Sequence, residues 1–256
     1  MNIMDYKTII VERQNRIGKI VLNRPKQLNA ISMLMAKEIM AACDEFETDQ
    51  SISCVIISGA GKAFCAGGDI KEAGMLEALG TEELWDGVTI WNKMGYRVKC
   101  LELPTIAALH GYVLGGGFLL AACCDIRIAA EDTEMAVLLT KPRTFQGKQV
   151  VGSAADMGLT WILPRLIGAG RAAELMFTGD PITPEKAERI GLVNYVVTAD
   201  RLMDKANELA TKFAEGPRLR LRVTKRAMHL STYDRLAAHM EFEAAVQSHM
   251  IRAGKD

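Results

Sequence analysis

Short β-branched runs alternate with stretches of helical periodicity, and this alternation restricts the chain to a layered α/β arrangement rather than a sandwich. Thr8 to Val11, Ile17 to Leu22 and Ile52 to Ile57 read as strands. Between the second and third, Ser32 is placed to cap a helix whose apolar positions Ala36, Ile39, Met40, Cys43 and Phe46 recur at helical spacing. Thr105 to Leu109 and Ile126 to Ala129 are further strand-like runs, the first leading through a glycine-rich turn into an apolar helix over Phe118 to Cys124. Thr183-Pro184 opens a helix as N-cap and first-turn proline, Gly191 closes it, and Leu192 to Val197 follows as a strand. From about Ala199 the pattern is helical to the end, broken only at Gly216-Pro217. Two regions result: an α/β body over residues 1–197 and a helical region over residues 198–256. The second has little core of its own and is expected to pack on the body or on a neighbouring subunit.

With 256 residues, 49% of them hydrophobic and 24% charged, the chain can build a substantial core, which excludes a disordered or collagen-like polymer. Its 31 basic side chains balance 31 acidic ones, so there is no basic surplus and no nucleic-acid partner is expected. The longest uncharged stretch near the middle, Gly111 to Cys124, spans 14 residues with four glycines, short of the roughly 20 apolar residues a bilayer span requires. Asp5 and Glu12 stand where a signal peptide would carry its apolar run. A soluble, cytoplasmic protein without a membrane partner is expected. Cys43, Cys54, Cys65, Cys100, Cys123 and Cys124 show no Cys-x-x-Cys spacing and read as reduced, mostly buried small residues. His110, His229, His239 and His249 stand at no metal-motif spacing, and no metal site is expected.

Two glycine-rich turns carry the chemistry. The first, Gly59-Ala60-Gly61-Lys62-Ala63-Phe64-Cys65-Ala66-Gly67-Gly68-Asp69-Ile70, superficially suggests a phosphate loop. A Walker A motif needs a glycine where this chain has Ile56 and a serine or threonine where it has Ala63, so that reading fails. What remains is a strand ending in a small-residue turn that exposes backbone N–H groups. The second turn, Leu109-His110-Gly111-Tyr112-Val113-Leu114-Gly115-Gly116-Gly117-Phe118, does not match the Gly-x-Gly-x-x-Gly dinucleotide pattern. Its glycine triplet lets a ligand approach the backbone at a helix N-terminus, where the dipole favours negative charge. Two such turns on either side of a carbonyl would make an oxyanion hole; close helix–strand packing is the alternative reason for the glycines.

Taken together, Gly-Lys-Ala-Phe-Cys-Ala-Gly-Gly-Asp-Ile, then His-Gly-Tyr-Val-Leu-Gly-Gly-Gly, then Cys-Asp-Ile-Arg-Ile-Ala resemble the enoyl-CoA hydratase/isomerase (crotonase) superfamily. The resemblance runs from Asn23-Arg24-Pro25 and Leu28-Asn29-Ala30 to Phe177-Thr178-Gly179-Asp180 and Gly191-Leu192-Val193, nearly the whole chain. It implies a spiral of β-β-α turns with a C-terminal helical region that builds trimers, often paired into hexamers. It implies an acyl-CoA thioester as substrate, coenzyme A entering with it, and no permanently bound cofactor. By position, the N–H groups of Gly68 and Gly116 would hold the thioester oxygen, Ala66, Asp69 and Ile70 would line the adenine pocket, and Lys71 would lie near the nucleotide.

The chain departs from the family at both glutamates that hydratases use as general acid and base. Leu119 takes the first position and, by ungapped counting, Leu139 the second; if the extra residues around Thr140 to Val151 shift the count, Lys148 or Gln149 takes it instead. Lys141, Arg143 and Lys148 make this insert basic, either as a solvated loop or as one closing over the CoA or acyl group. One carboxylate remains. Ala154-Ala155-Asp156-Met157-Gly158 resembles the segment where dienoyl-CoA isomerases place a proton-shuttling aspartate and 4-chlorobenzoyl-CoA dehalogenases a nucleophilic one. Asp156 also precedes an apolar helix, so capping is its structural alternative. Among leucines, desolvation would raise its pKa toward a range useful for proton transfer. Leu119 and Leu139 would leave an apolar acyl cavity, shaped by Trp161 and by a helix carrying Trp85 and Trp91, which suits a bulky or cyclic acyl group. His110, Cys65 and Tyr112 read as structural or packing residues, and Glu131 and Glu134 as surface residues.

The function expected is hydration or double-bond isomerisation of an unusual enoyl- or dienoyl-CoA, cyclic acyl groups included, with Asp156 transferring the proton. Hydrolysis of a β-oxoacyl-CoA, at a ring C–C bond or at the thioester, is the alternative within enzymes, with dehalogenation behind it. A catalytically silent homologue that binds acyl-CoA or RNA is the alternative of another class.

Overall fold

The computed structural model describes residues 5–72, 80–138, 143–145, 148–150, 156–233, 235, 237–241 and 244–245. β1 (Ile9–Gln14) and β2 (Ile17–Leu22) form an antiparallel hairpin. Its two turn residues, Asn15 and Arg16, both have positive φ, as a two-residue hairpin of the primed type requires. The ladder carries β1 on to Gln14, beyond the Thr8 to Val11 run legible from β-branching alone. α1 (Met33–Thr48) begins at Ser32, whose hydroxyl accepts the Met35 N–H at 3.1 Å. It buries Met35, Ala36, Ile39, Ala42, Cys43 and Phe46.

The body is then a coil. β3 (Cys54–Gly59) and β4 (Ala63–Cys65) lead to α2 (Thr81–Cys100). β5 (Thr105–Leu109) and β6 (Tyr112–Leu114) lead to α3 (Gly116–Cys123). β7 (Ile126–Ala130) and β8 (Glu134–Ala136) lead, through a hairpin of β9 (Arg143–Phe145) and β10 (Lys148–Val150), to α4 (Leu159–Ile167). α5 (Ala169–Thr178), α6 (Pro184–Arg189) and β11 (Tyr195–Val197) complete it. The first strand of each coil enters a six-stranded sheet, β1-β2-β3-β5-β7-β11, parallel beyond the first hairpin; the second enters a parallel three-stranded sheet, β4-β6-β8. The basic insert is therefore built as the β9–β10 hairpin; Lys141 lies outside the described residues.

Alternate residues of the large sheet serve two cores, so its strands read as continuous apolar runs. On β3, Val55 and Ile57 face the main core with α1 to α4, while Cys54 and Ile56 face α7 (Leu202–Glu215). α7 covers that second face with Leu202, Ala206, Leu209, Ala210 and Ala214. The strand expected over Leu192 to Val197 is shorter. Leu192 and Val193 are apolar because the turn after Gly191 buries them, and only Tyr195–Val197 pairs with β7.

α8 (Arg218–Tyr233) is docked mainly through cations. Arg218 donates to the carbonyls of Ile52 (2.6 Å) and Glu47 (2.8 Å), Arg222 bonds Glu102, and the buried Lys225 ammonium meets Leu103 C=O at 2.9 Å and Asp125 at 2.6 Å.

Candidate active site

The first half of the site is the turn after β4. Gly67 reverses the chain at φ +120°, and its carbonyl accepts the Ile31 N–H at 2.8 Å, while the Asp69 N–H donates to the Ile31 carbonyl at 3.0 Å. This parallel bridge uses the groups flanking Gly68, and the pleat turns the Gly68 N–H to the opposite side. The Asn23-Arg24-Pro25 and Leu28-Asn29-Ala30 segments supply the scaffold. Buried Asn29 accepts the Arg24 N–H and donates to the carbonyls of Ala60 (2.9 Å) and Ala63 (2.7 Å). Arg24 reaches both the Ala30 carbonyl (2.5 Å) and the Asp69 carboxylate (2.7 Å), and Asp69 also accepts the Lys71 N–H at 3.0 Å. Asp69 thus orders the turn, while Ile70 and Lys71 beside it are exposed and Ala66 is half-buried.

The second half is the turn after β6. Gly115, at φ +47°, donates to the Ala136 carbonyl at 3.0 Å and delivers Gly116 as the first residue of α3. The two turns touch. A Cβ on Gly116 would stand 3.2 Å from the Gly68 nitrogen and 3.7 Å from Ile31 Cδ1. One on Gly117 would stand 2.3 Å from the Cys65 carbonyl oxygen, so glycine there lets α3 cross β4 at close range. Among the described residues, no backbone carbonyl accepts the N–H of Gly68 or Gly116.

Leu119, one turn into α3, is 2% exposed within the main core. Leu119 is thus a packed aliphatic group with no proton to transfer. Leu139 lies outside the described residues. Asp156 is half-buried ahead of α4, followed by Met157 at φ +51° and Gly158 at φ +77°. Gly158, which has no side chain, is the N-cap of α4, two residues after Asp156. A left-handed non-glycine residue costs roughly 1–2 kcal/mol, so packing must hold Met157 in place. The clamp comes from α2, where the Asn92 Oδ1 accepts the Met157 N–H at 2.5 Å. Trp161 follows one turn into α4, its ring covered by the Arg165 guanidinium at 3.6 Å and tilted against His239 at 5.1 Å. On α2, Trp91 is buried and its Nε1 donates to the Ile31 carbonyl at 3.3 Å, while Trp85 is 38% exposed.

His110 Nε2 donates to the Gly61 carbonyl at 3.1 Å. Burial pushes the Cys65 thiol up to about 12, outweighing the Gly67 and Ile31 N–H groups and Arg24, so it is a poor nucleophile. Tyr112 is half-buried, and Glu131 and Glu134 are exposed. In the Cys-Asp-Ile-Arg motif, buried Arg127 closes the C-terminus of α3 by donating to the carbonyls of Cys124 (2.7 Å) and Ala121 (3.5 Å), and it ties in Leu192 at 2.6 Å. Among the described residues no group of three His, Cys, Asp or Glu side chains could hold a metal ion, and no helix is long and apolar enough to cross a membrane.

A coil of strands feeding two sheets, with glycine turns after the short strands and helices closing each coil, is the crotonase architecture. The chain belongs to the enoyl-CoA hydratase/isomerase family, whose model matches residues 12–255. It is 34% identical to the short-chain-enoyl-CoA hydratase of Clostridium acetobutylicum, over 94% of this chain and 88% of that one. Among solved structures, the enoyl-CoA hydratase of Bacillus anthracis is 32% identical with a TM-score of 0.78, covering 97% of this chain and 92% of its own. A monofunctional enoyl-CoA isomerase from Mycobacterium smegmatis superposes at 0.71 with 28% identity, covering 88% and 93% respectively. The protein is accordingly an enzyme of acyl-CoA metabolism.

Proposed function

We propose that this enzyme hydrates or isomerises a double bond in a bulky or cyclic enoyl- or dienoyl-CoA, with Asp156 moving the proton. The observation that carries the reading is the exchange of carboxylates: a packed leucine at 119, and an aspartate on a held turn at 156. The Gly68 and Gly116 N–H groups would both donate to the thioester oxygen. In isomerisation, the Asp156 carboxylate takes a proton from carbon, negative charge collects on that oxygen as an enolate, and Asp156 returns the proton to a different carbon. In hydration, Asp156 takes a proton from water as the hydroxyl adds to the β-carbon, then gives that proton to the α-carbon of the enolate and returns to its carboxylate form. One oxyanion donor typically contributes about 2.7–4 kcal/mol of transition-state stabilisation. Coenzyme A arrives with the substrate, its nucleotide lying along Ala66, Asp69, Ile70 and Lys71, and the chemistry requires no resident cofactor. Trp161 borders the acyl side.

The assembly proposed is a trimer or a pair of trimers. Leu219 and Val223, one helical turn apart on α8, and Phe177 at the end of α5 are exposed apolar side chains suited to subunit contact.

The test is mass spectrometry of linear and cyclic enoyl-, dienoyl- and β-oxoacyl-CoAs incubated in deuterium oxide with wild type and Asp156→Asn. Deuterium uptake without added water identifies an isomerase, and a water adduct a hydratase. Either should fall by about 10²- to 10⁴-fold in the variant, the range of a general acid–base group. Free CoA or ring opening would instead identify a hydrolase. Equal turnover by the two proteins would remove Asp156 from the mechanism.

A further inference from the structure

We infer that Asn92 is a positioning residue: it sets the direction of the Asp156 carboxyl by fixing the peptide that joins Asp156 to Met157. The inference rests on the reading of Asp156 as the proton-transfer group.

Asn92 lies on the face of α2 that carries Val88, Trp91 and Met94 into the core, and it is itself only 5% exposed. An amide buried on an apolar helix face needs a partner to offset its desolvation. That partner is one atom, the Met157 N–H, which donates to Oδ1 at 2.5 Å. This bond fixes which end of the amide is oxygen. The other end, Nδ2, is fully enclosed and has no hydrogen-bond partner among the described residues. The protein therefore keeps asparagine here for its acceptor and tolerates an idle donor, a poor arrangement if packing alone were served.

The peptide plane gives the bond its consequence. The N–H of the Asp156–Met157 peptide is held by Asn92, and the C=O of the same peptide accepts the Leu159 N–H at 3.0 Å. With both ends of one rigid plane pinned, rotation about the Cα–C bond of Asp156 is blocked. A second contact from α2 bears on the same residue. Gly95, one turn beyond Asn92, passes so close that a Cβ there would stand 2.9 Å from Met157 Cβ and 3.3 Å from Met157 O. Met157 meanwhile holds a left-handed conformation that a non-glycine residue does not adopt unaided. Asn92 and Gly95 thus form a clamp across the chain from the turn, one by attraction and one by leaving room.

The experiment uses full-length protein labelled with ¹³C at aspartate carboxyls, the Asp156 resonance being assigned by its loss in Asp156→Asn. Its titration is followed in wild type, Asn92→Leu, Asn92→Asp and Gly95→Ala. Asn92→Asp keeps the acceptor but adds a negative charge near Asp156, so the midpoint should rise, by about 1 pH unit or more. Asn92→Leu removes the acceptor and should change the chemical shift and titration of Asp156 while other aspartates stay fixed. Gly95→Ala, which leaves every polar group intact, should perturb the same resonance. With trans-3-hexenoyl-CoA in deuterium oxide, Asn92→Leu should lose at least 10-fold in kcat with KM within about 2-fold, and Asn92→Asp should recover part of that loss with its acid limb moved to higher pH. An Asp156 resonance identical in wild type, Asn92→Leu and Gly95→Ala would overturn the inference. Full deuterium exchange by Asp156→Asn would instead overturn the role of Asp156, a different failure with a different readout.

Discussion

Gly116 offers its N–H at N1 of α3, the one helical position where proline is readily accommodated. Gly116→Pro should therefore remove the proposed oxyanion donor without unwinding the helix, and its Cβ, 3.2 Å from the Gly68 nitrogen, would crowd the second donor too, so kcat should fall by at least about 10²-fold. Unchanged helical circular dichroism with unchanged kcat would remove that N–H from the oxyanion hole. At this scale the sequence told unevenly. The glycines were legible because closely approaching backbones admit no side chain, and Ser32 was legible because a cap acts on its own helix. Asn92 was not, since its partner Met157 lies 65 positions away and no local pattern distinguishes it from a solvent-facing polar residue. Arg127 escaped for the same reason: its acceptors on Ala121, Cys124 and Leu192 converge only after three elements have packed. Asp156 was visible through family resemblance alone, and the cap of α4 is two residues later than an aspartate at a helix start suggests.

α8 shows how an element with an unremarkable apolar face is fastened. Asp125, its side chain 25% exposed, accepts from the Thr105 N–H and hydroxyl and faces the Lys225 ammonium at 2.6 Å. Burial alone would raise the Asp125 carboxyl, but Lys225, His229 and Lys99 outweigh it and hold it well below the usual carboxylate range. A depressed aspartate pKa gives stability that is complete above the unfolded value, about 3.9, and is lost as pH falls through the folded value. Docking of α8 should thus persist at neutral pH and weaken progressively below about pH 4. Lys225→Met removes the cation and leaves Asp125 partly buried. It should cost about 3 kcal/mol at pH 7, the lower end for a broken buried pair, and the cost should shrink in acid. Chemical denaturation at pH 7 and pH 3 measures both; a pH-independent difference would show that packing, not the ion pair, holds the helix. The helical character of this region was readable from its spacing, but its attachment by cations to carbonyls on the body was not.

Over the whole molecule, the proposed subunit interface rests on the exposed Leu219 and Val223. Light scattering should give a particle of about three or six times the 28.1 kDa chain, and Leu219→Glu with Val223→Glu should reduce it. A monomeric wild type would leave those side chains without that role. The layered α/β plan followed from alternation, since strands buried on both faces need cover on both, and α7 supplies the second cover. What the pattern could not supply was the division into two sheets, because three-residue strands such as β4, β6 and β8 are too short to carry a period.

That division has a consequence for how such a chain can change. Gly67 after β4 and Gly115 after β6 both have positive φ and deliver Gly68 and Gly116 at corresponding places on adjacent coils, and Leu138, at φ +54°, follows β8 in the same way. The separation of the two N–H groups is therefore measured across the sheet, not along the polypeptide. Everything the chain does between those coils, in the length of a helix or the content of a loop, is invisible to the pair. Lineages descended from one such scaffold are free to rewrite the side chains and loops between the coils while the spacing of those two N–H groups is inherited untouched.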